Sequence, residues 1–269
     1  MMILDYGTQI SFEPIKLSIG TIIKPTLKQI AKISFKKFEL YESLLKITPE
    51  HIYTKLLKDN GGQEMWDSID EHTKDNMTIF DVIQNNEYVR ALYIEMLNFF
   101  FQEALIYREG YLLVIKENIS NLDMENIQIN DIYGAISRET LPKIFSIIEQ
   151  ICGIYNEEED IDNMKFKNEF QKQYILKMLK NQKKNTTEKN TNINLSVPNI
   201  ISALTCIHPS INYTNIWEMT VFQLYDSFNR LQQNKMYDID STRVSVWGDE
   251  KKTFDFGLWY KNNYDNNEK

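Results

Sequence analysis

The residues that could do acid–base or metal chemistry are scattered along the chain. The histidines, at positions 51, 72 and 208, lie far apart, and none belongs to an HxH, HExxH or Cys/His motif that could hold zinc. Asp238 and Asp240 in YDIDSTR could form an acid–base pair, but alternating acids in a polar turn are usually solvated. We therefore expect no catalytic residue, no metal site and no cofactor.

The acidic run EEEDID at 157–162 could attract a basic partner or a divalent cation. Its spacing does not match the EF-hand pattern and it lacks the central glycine, so a solvated helix start is favoured. The chain also has no GxSxG, GxxxxGKS or GxGxxG motif, and nine glycines leave little material for a phosphate-binding loop. An enzyme would need an unrecognised site built from scattered carboxylates.

Composition narrows the possible partners and compartments. The formal net charge is −8, and Lys and Arg are spread along the chain, so the basic stripe of a nucleic-acid-binding protein is missing. No apolar run approaches the roughly 20 residues that cross a bilayer, and the first residues do not form a signal peptide. Two cysteines, Cys152 and Cys206, are interpreted as core thiols in a reducing compartment. The sequence thus predicts a protein of the cell interior that binds neither nucleic acid nor membrane.

Aromatic residues near the C-terminus are the better candidates for a binding surface. An apolar stripe at helical spacing includes Leu224, Tyr225 and Phe228, and it could be either core or a face that receives a partner helix. The tail FDFGLWYKNNYDNNEK could dock on the chain itself or on a neighbour, because Trp and Tyr are favoured interface anchors. The candidate core-or-partner residues are Trp217, Phe222, Tyr225, Phe228, Arg230 and Trp259.

The first half of the chain alternates strand and helix signals. Residues 10–24 predict a hairpin, and a capping-box spacing at Thr26 opens one predicted helix over 27–47. Thr48 and Pro49 start the next helix, and Thr78 is a further predicted cap. The segment EYVRALYIEMLNFFF is apolar around most of its circumference, which suits a central buried helix.

The following segments predict a second hairpin and three more helical regions. Glu109 and Gly110 lie between two β-type runs, and residues 136–155 predict a helix with Ser137 as its candidate cap. FKNEFQKQYILKMLK has a helical pattern, and Ser196 caps VPNIISALTCI before the long amphipathic helix MTVFQLYDSFNRLQQ.

These elements predict a mainly α (α+β) protein with one or two small β-hairpins. A helical bundle-like domain over 1–180 is followed by a polar linker at 181–195, whose Lys/Asn-rich composition cannot bury a core. A small C-terminal helical module with an aromatic tail occupies 196–269.

Several segments together resemble tail-module proteins of phages that infect low-GC Gram-positive bacteria (Firmicutes). The resemblance covers 197–248 best and rests most on Trp217, Thr220, Gln223, Phe228 and Arg230. The segments that carry it are GTIIKPTLKQIAKI, the FFF run followed by strands, ISRETLPKIFSII, the Lys/Asn-rich linker, ISALTCI, NIWEMTVFQLYDSFNRLQ and YDIDSTRVSVWG.

The resemblance implies a non-catalytic tail assembly chaperone. Such a protein would bind the tape measure or tail tube in the bacterial host cytoplasm during infection, keeping long tape-measure helices dispersed until tube subunits polymerise. The alternative is a permanent structural component of the phage tail or baseplate, which would remain in the virion.

Overall fold

The computed structural model describes residues 3–116, 129–154, 195–250 and 252–261, which form two compact units. The first unit contains Met1–Leu4, Phe12–Pro25 and Gln29–Cys152, and the second contains Asp5–Ser11, Thr26–Lys28 and Gly153–Lys269. Two short N-terminal segments therefore belong to the same unit as the C-terminal part of the chain. The predicted linker lies outside the described residues except for Leu195, as do the acidic run at 157–162 and the predicted helix at 166–180, so these stay predictions.

The protein is mainly α-helical with two small antiparallel sheets, which confirms the predicted class. In chain order the described α-helices are α1 (Tyr6–Ile10), α2 (Leu27–Ile33), α3 (Phe35–Lys46), α4 (Pro49–His51), α5 (Gly62–Ser68), α6 (Glu71–Asn76), α7 (Ile79–Asn85), α8 (Glu87–Phe100), α9 (Leu141–Ile151), α10 (Val197–Ile207) and α11 (Val221–Trp247). A π-helix, Ile52–Leu56, continues α4, and short 3-10 turns lie at Lys58–Asn60, Ile129–Asp131, Ile216–Glu218 and Leu258–Tyr260. The strands are β1 (Ile15–Leu17), β2 (Gly20–Ile22), β3 (Ala104–Arg108), β4 (Tyr111–Ile115) and β5 (Ile132–Ile136).

The predicted helix over 27–47 is in fact two helices, α2 and α3, that meet at Ser34. Ser34 has a φ of 79°, which no helix can contain, and its Oγ accepts a hydrogen bond of 3.3 Å from the backbone N–H of Lys37. The serine hydroxyl is thus the N-cap of α3. It accepts a backbone N–H that would otherwise need a helical carbonyl partner, and α2 ends before it. The next predicted start is confirmed: Thr48 accepts from the N–H of His51, and Pro49 is the first residue of α4.

Helix α8 packs into the core of the first unit through one face, whereas Tyr88 and Glu95 on its other side are exposed, so it is not buried around most of its circumference as the sequence predicts. Tyr93 is fully buried, stacks on Phe145 of α9 with ring centroids 5.8 Å apart, and donates a 2.9 Å hydrogen bond from its hydroxyl to the carbonyl of Leu44 on α3. Phe100, also on α8, lies 6.4 Å from Phe38 of α3 between ring centroids. One helix therefore holds α3 and α9 together by aromatic packing and by a satisfied buried hydroxyl.

Both predicted hairpins are present. β1 pairs with β2 over a two-residue turn, with Leu17 opposite Gly20. β3 pairs with β4 through Glu109 and Gly110, which have φ angles of 52° and 85°. Positive φ at both turn positions matches the right-handed twist of the strands that it connects, and Gly110 adopts it without strain.

A third strand, β5, was not predicted, and it corrects the start of the following helix. Ile136 ends β5 opposite Leu112 of β4, so it is not the first helical residue that its spacing suggested. Helix α9 begins only at Leu141, and its N-cap is Thr140, not Ser137. Pairing with β4 determines that Ile136 is in a strand. From the sequence alone, one apolar residue just before a helix is compatible with both the helical and the strand periodicity.

Candidate partner-binding surface

The start of α11 is fixed by a capping box that also holds the N-terminal segment of the same unit. The N–H of Thr220 donates to Gln223 Oε1 at 3.0 Å, and the N–H of Gln223 donates to Thr220 Oγ1 at 3.2 Å. The remaining Gln223 donor, Nε2, reaches the carbonyl of Ile10 at the end of α1, at 2.7 Å. Thr220 and Gln223, two residues of the motif that carries the resemblance, therefore have a structural role here.

The candidate core-or-partner residues in and just before α11 divide between buried and partly exposed positions. Phe222 is 1% exposed and its ring lies 6.3 Å from that of Tyr6, so it is a core residue. Tyr225 and Phe228 are half-buried. Trp217 is half-buried as well, and its indole N–H donates to the carbonyl of Tyr213 at 2.9 Å.

A polar cluster around Asp226 joins three segments of the second unit. Asp226 is 6% exposed, and its Oδ2 accepts a 3.0 Å hydrogen bond from the hydroxyl of Tyr6 on α1. Arg230, one turn further along α11, places Nε 3.7 Å from Asp226 Oδ1 and donates from a terminal nitrogen to the carbonyl of Lys261 at 2.5 Å. Burial raises the pKa of Tyr6, and the hydrogen bond from Arg230 opposes that rise. The tyrosine therefore stays a neutral donor to the carboxylate.

The chain reverses after α11 and runs back along it. Gly248, with a φ of 76°, ends the helix. The Asp249 carboxylate then accepts the backbone N–H groups of Thr253 and Phe254, each at 2.9 Å, and these bonds lower the pKa of Asp249. Phe254 packs against Tyr237 of α11 with ring centroids 5.4 Å apart, and Lys261 lies beside the earlier residue Arg230. The returning segment is thus antiparallel to the helix.

We call Phe254–Tyr260 the aromatic segment, and most of its rings face solvent. Phe256 is 74% exposed, Trp259 53% and Tyr260 64%. Phe256 packs edge-on against Phe254 at 4.6 Å, and Trp259 packs edge-on against Tyr260 at 5.0 Å. Contiguous exposed aromatic side chains are typical of protein-binding surfaces, where Trp and Tyr supply much of the affinity. The candidate residue Trp259 therefore lies on an accessible apolar surface.

The residues considered for acid–base chemistry are not brought together. The prediction that Asp238 and Asp240 lie in a polar turn is wrong, because both residues lie within α11. Residues two positions apart on a helix do not face each other, so their side chains point to different sides. Asp240 instead pairs with Arg243 Nε at 3.2 Å. No three His, Cys, Asp or Glu side chains in the part of the chain that the structure describes are grouped so as to hold a metal ion.

The expectation of two core thiols is half wrong. Cys152 is buried at the end of α9, but Cys206 is exposed. The buried face of α10 consists of Val197, Ile200, Ile201 and Leu204. Cys206 follows Leu204 by two positions, which places it on nearly the opposite side of the helix.

Comparison with known proteins finds similarity in the C-terminal part of the chain. Residues 181–264 match the family model of the YomV second domain. That family is associated with Bacillus phages, which is consistent with a protein from a phage of Firmicutes. No curated protein and no solved structure shows significant similarity to the chain. None of the described helices is both long and apolar enough to cross a membrane.

Sequence reasoning missed the roles of Tyr6 and Asp226. A local signal did exist for Asp226, because it precedes Arg230 by four positions, the spacing of an intrahelical ion pair. Nothing local pointed to Tyr6, since it lies 220 positions away in the chain.

Proposed function

We propose that the chain is a non-catalytic phage tail-assembly protein that binds other tail proteins through its aromatic segment. The observation that carries the proposal is the exposure of Phe256, Trp259 and Tyr260 on a segment that two contacts hold against α11, one through Arg230 and one through Tyr237. Anchored apolar side chains lose little conformational entropy when a partner covers them, which favours binding. The match of residues 181–264 to a phage-associated family supports the biological setting.

The partner that fits this surface best is an amphipathic helix, such as a segment of the tape measure. Aromatic side chains bind the apolar face of such a helix, and a net charge of −8 would keep the complex dispersed. The chain would thereby cover aggregation-prone helices until the tail tube assembles around them.

Co-expression with the tape-measure protein of the same phage tests the proposal. The wild-type chain should form a complex with the tape measure and raise its soluble fraction. Trp259→Ala combined with Phe256→Ala should remove most of both effects. Tyr88→Ala is the matched control, because Tyr88 is 56% exposed but lies on α8 of the first unit. Absence of a complex with the wild-type chain would overturn the chaperone role.

The alternative is that the chain is a permanent structural component of the phage tail or baseplate. The same exposed aromatic rings could then form a lasting interface with a neighbouring subunit. Mass spectrometry of purified virions separates the two roles. A chaperone should be missing from mature particles, whereas a structural subunit should be present in a fixed ratio to the tail-tube protein.

A further inference from the structure

The second half of α11 has an apolar stripe that the aromatic segment does not cover. Met236, Ile239 and Val246 are 39%, 68% and 65% exposed. With Gln232 and Arg243 they are spaced alternately by four and three positions, which is the a and d spacing of a coiled coil. Asp226 is the last fully buried residue of α11, so the rest of the helix, about 28 Å from residue 229 to its end, carries this stripe at the surface.

The stripe and the aromatic segment occupy different faces of the helix. Arg230 and Tyr237, which contact the returning chain, are seven positions apart and share one face. Ile239 is two positions beyond Tyr237, and at about 100° per residue this turns its side chain to nearly the opposite side. The stripe is therefore open to a partner while the aromatic segment stays in place.

We propose that a second copy of this chain covers the stripe, with the two α11 helices pairing in parallel as a short two-stranded coiled coil. The charges beside the stripe favour this occupant. Lys235 and Asp240 are five positions apart on opposite flanks, which correspond to a g position and the next e position. In a parallel pair, Lys235 of each helix would meet Asp240 of the other, giving two opposite-charge contacts by symmetry. An antiparallel pair would bring residues of the same flank together and lose these contacts.

Polar residues within the stripe restrict the assembly further. Asn229 and Arg243 fall at a positions, where a polar side chain fixes the register and limits the number of strands at a cost in stability. Arg243 is already paired with Asp240 within its own helix at 3.2 Å, which offsets part of the repulsion between the two Arg243 side chains. Because the stripe spans fewer than three heptads, we expect the dimer to dissociate on dilution.

The first test measures the mass of the full-length chain by sedimentation equilibrium over a wide concentration range. The wild-type chain should move from monomer to dimer, and Ile239→Asp should keep it monomeric. Lys235→Glu and Asp240→Lys should each weaken the dimer at least tenfold, and the double exchange should recover most of that loss. A wild-type chain that stays monomeric throughout would overturn the proposal, as would charge reversals without effect.

The second test reports orientation by disulfide formation between single introduced cysteines in a Cys206→Ser background, in which the remaining native thiol, Cys152, is buried. In a parallel pair each stripe residue meets its own copy, so Ile239→Cys and Val246→Cys should both give disulfide-linked dimers. Ser245→Cys, at a position of α11 that lies outside the stripe, is the control and should not. Efficient cross-linking at only one of the two stripe positions, or equal cross-linking at position 245, contradicts the parallel arrangement. Tape-measure binding is a separate readout, so either proposal can fail while the other stands.

Discussion

Tyr6 and Asp226 are joined by a 3.0 Å hydrogen bond across 220 positions of the chain. The bond fixes the short helix α1 to α11, beside the contact between the rings of Tyr6 and Phe222. Asp226 is buried, and a buried carboxylate is stable only when donors and an opposite charge replace its hydration. The Tyr6 hydroxyl supplies the donor and Arg230 supplies the charge, so this cluster connects the N-terminal segment, α11 and the returning C-terminal chain.

Tyr6→Phe should lower the free energy of unfolding by about 1–3 kcal/mol, because it leaves the buried Asp226 carboxylate without its tyrosine donor. Urea denaturation followed by circular dichroism measures the loss. Tyr213→Phe is the matched control: it also removes a tyrosine hydroxyl, but one that lies at the surface and contacts Ser202 at 3.3 Å. Equal effects of the two substitutions would show that Asp226 does not depend on Tyr6.

Arg230→Ala should loosen the aromatic segment, because it removes the bond to the Lys261 carbonyl and the positive charge beside Asp226. Limited proteolysis should then cleave the chain after Gly248 several times faster than in the wild type. Arg108→Ala is the control, since Arg108 lies on β3 of the first unit and pairs with the exposed Glu109 at 3.8 Å. Unchanged cleavage in Arg230→Ala would mean that the Phe254 and Asp249 contacts hold the segment alone.

Glu42 should make the stability of the first unit depend on pH. Burial raises the pKa of Glu42 to about 8, and the charge of Glu39 adds to the rise while Lys46 opposes it. Between pH 4.5 and pH 8 the folded state then holds a proton that the unfolded state releases, so the free energy of unfolding falls as pH rises through this range. Glu42→Gln cannot ionise and should be more stable than the wild type at pH 8, by on the order of 2 kcal/mol.

Thermal melts of Glu42→Gln and wild type from pH 5 to pH 9 check this expectation. The difference between the two proteins should be small at pH 5 and grow towards pH 8. Glu50→Gln, at an exposed position of α4, is the control and should follow the wild type at every pH. A constant difference across the range would exclude titration of Glu42 as the cause.

Substitution of Phe222 should lower stability, whereas substitution of Trp259 should lower partner binding. Phe222→Ala removes a fully buried ring and should cost about 3–5 kcal/mol of stability. Trp259→Ala removes a ring that is 53% exposed, so the unfolding transition should stay within about 0.5 kcal/mol of the wild type while capture of a tail partner falls. A large loss of stability in Trp259→Ala would assign this ring to the core.

Sequence alone determined the features that depend on neighbouring residues. The Thr48–Pro49 helix start, the Thr220–Gln223 capping box and the Glu109–Gly110 turn were all predictable, because caps and turns are set by side chains within a few positions. Helix α8 itself was predictable from its apolar residues, although it buries only one face, and the mainly α class follows from the sum of such signals.

Tertiary structure decided the features that depend on distant residues. β5 forms because β4 is beside it, and Cys206 is exposed because α10 turns its other face inward. Asp226 is buried where the Tyr6 hydroxyl donates to it and the charge of Arg230 lies 3.7 Å away. Phe222 near the start of α11 is buried and Ile239 further along the same helix is exposed for the same reason. A local sequence pattern gives the face of a helix on which apolar residues lie, but only the packing of the rest of the chain determines how far along the helix that face is covered.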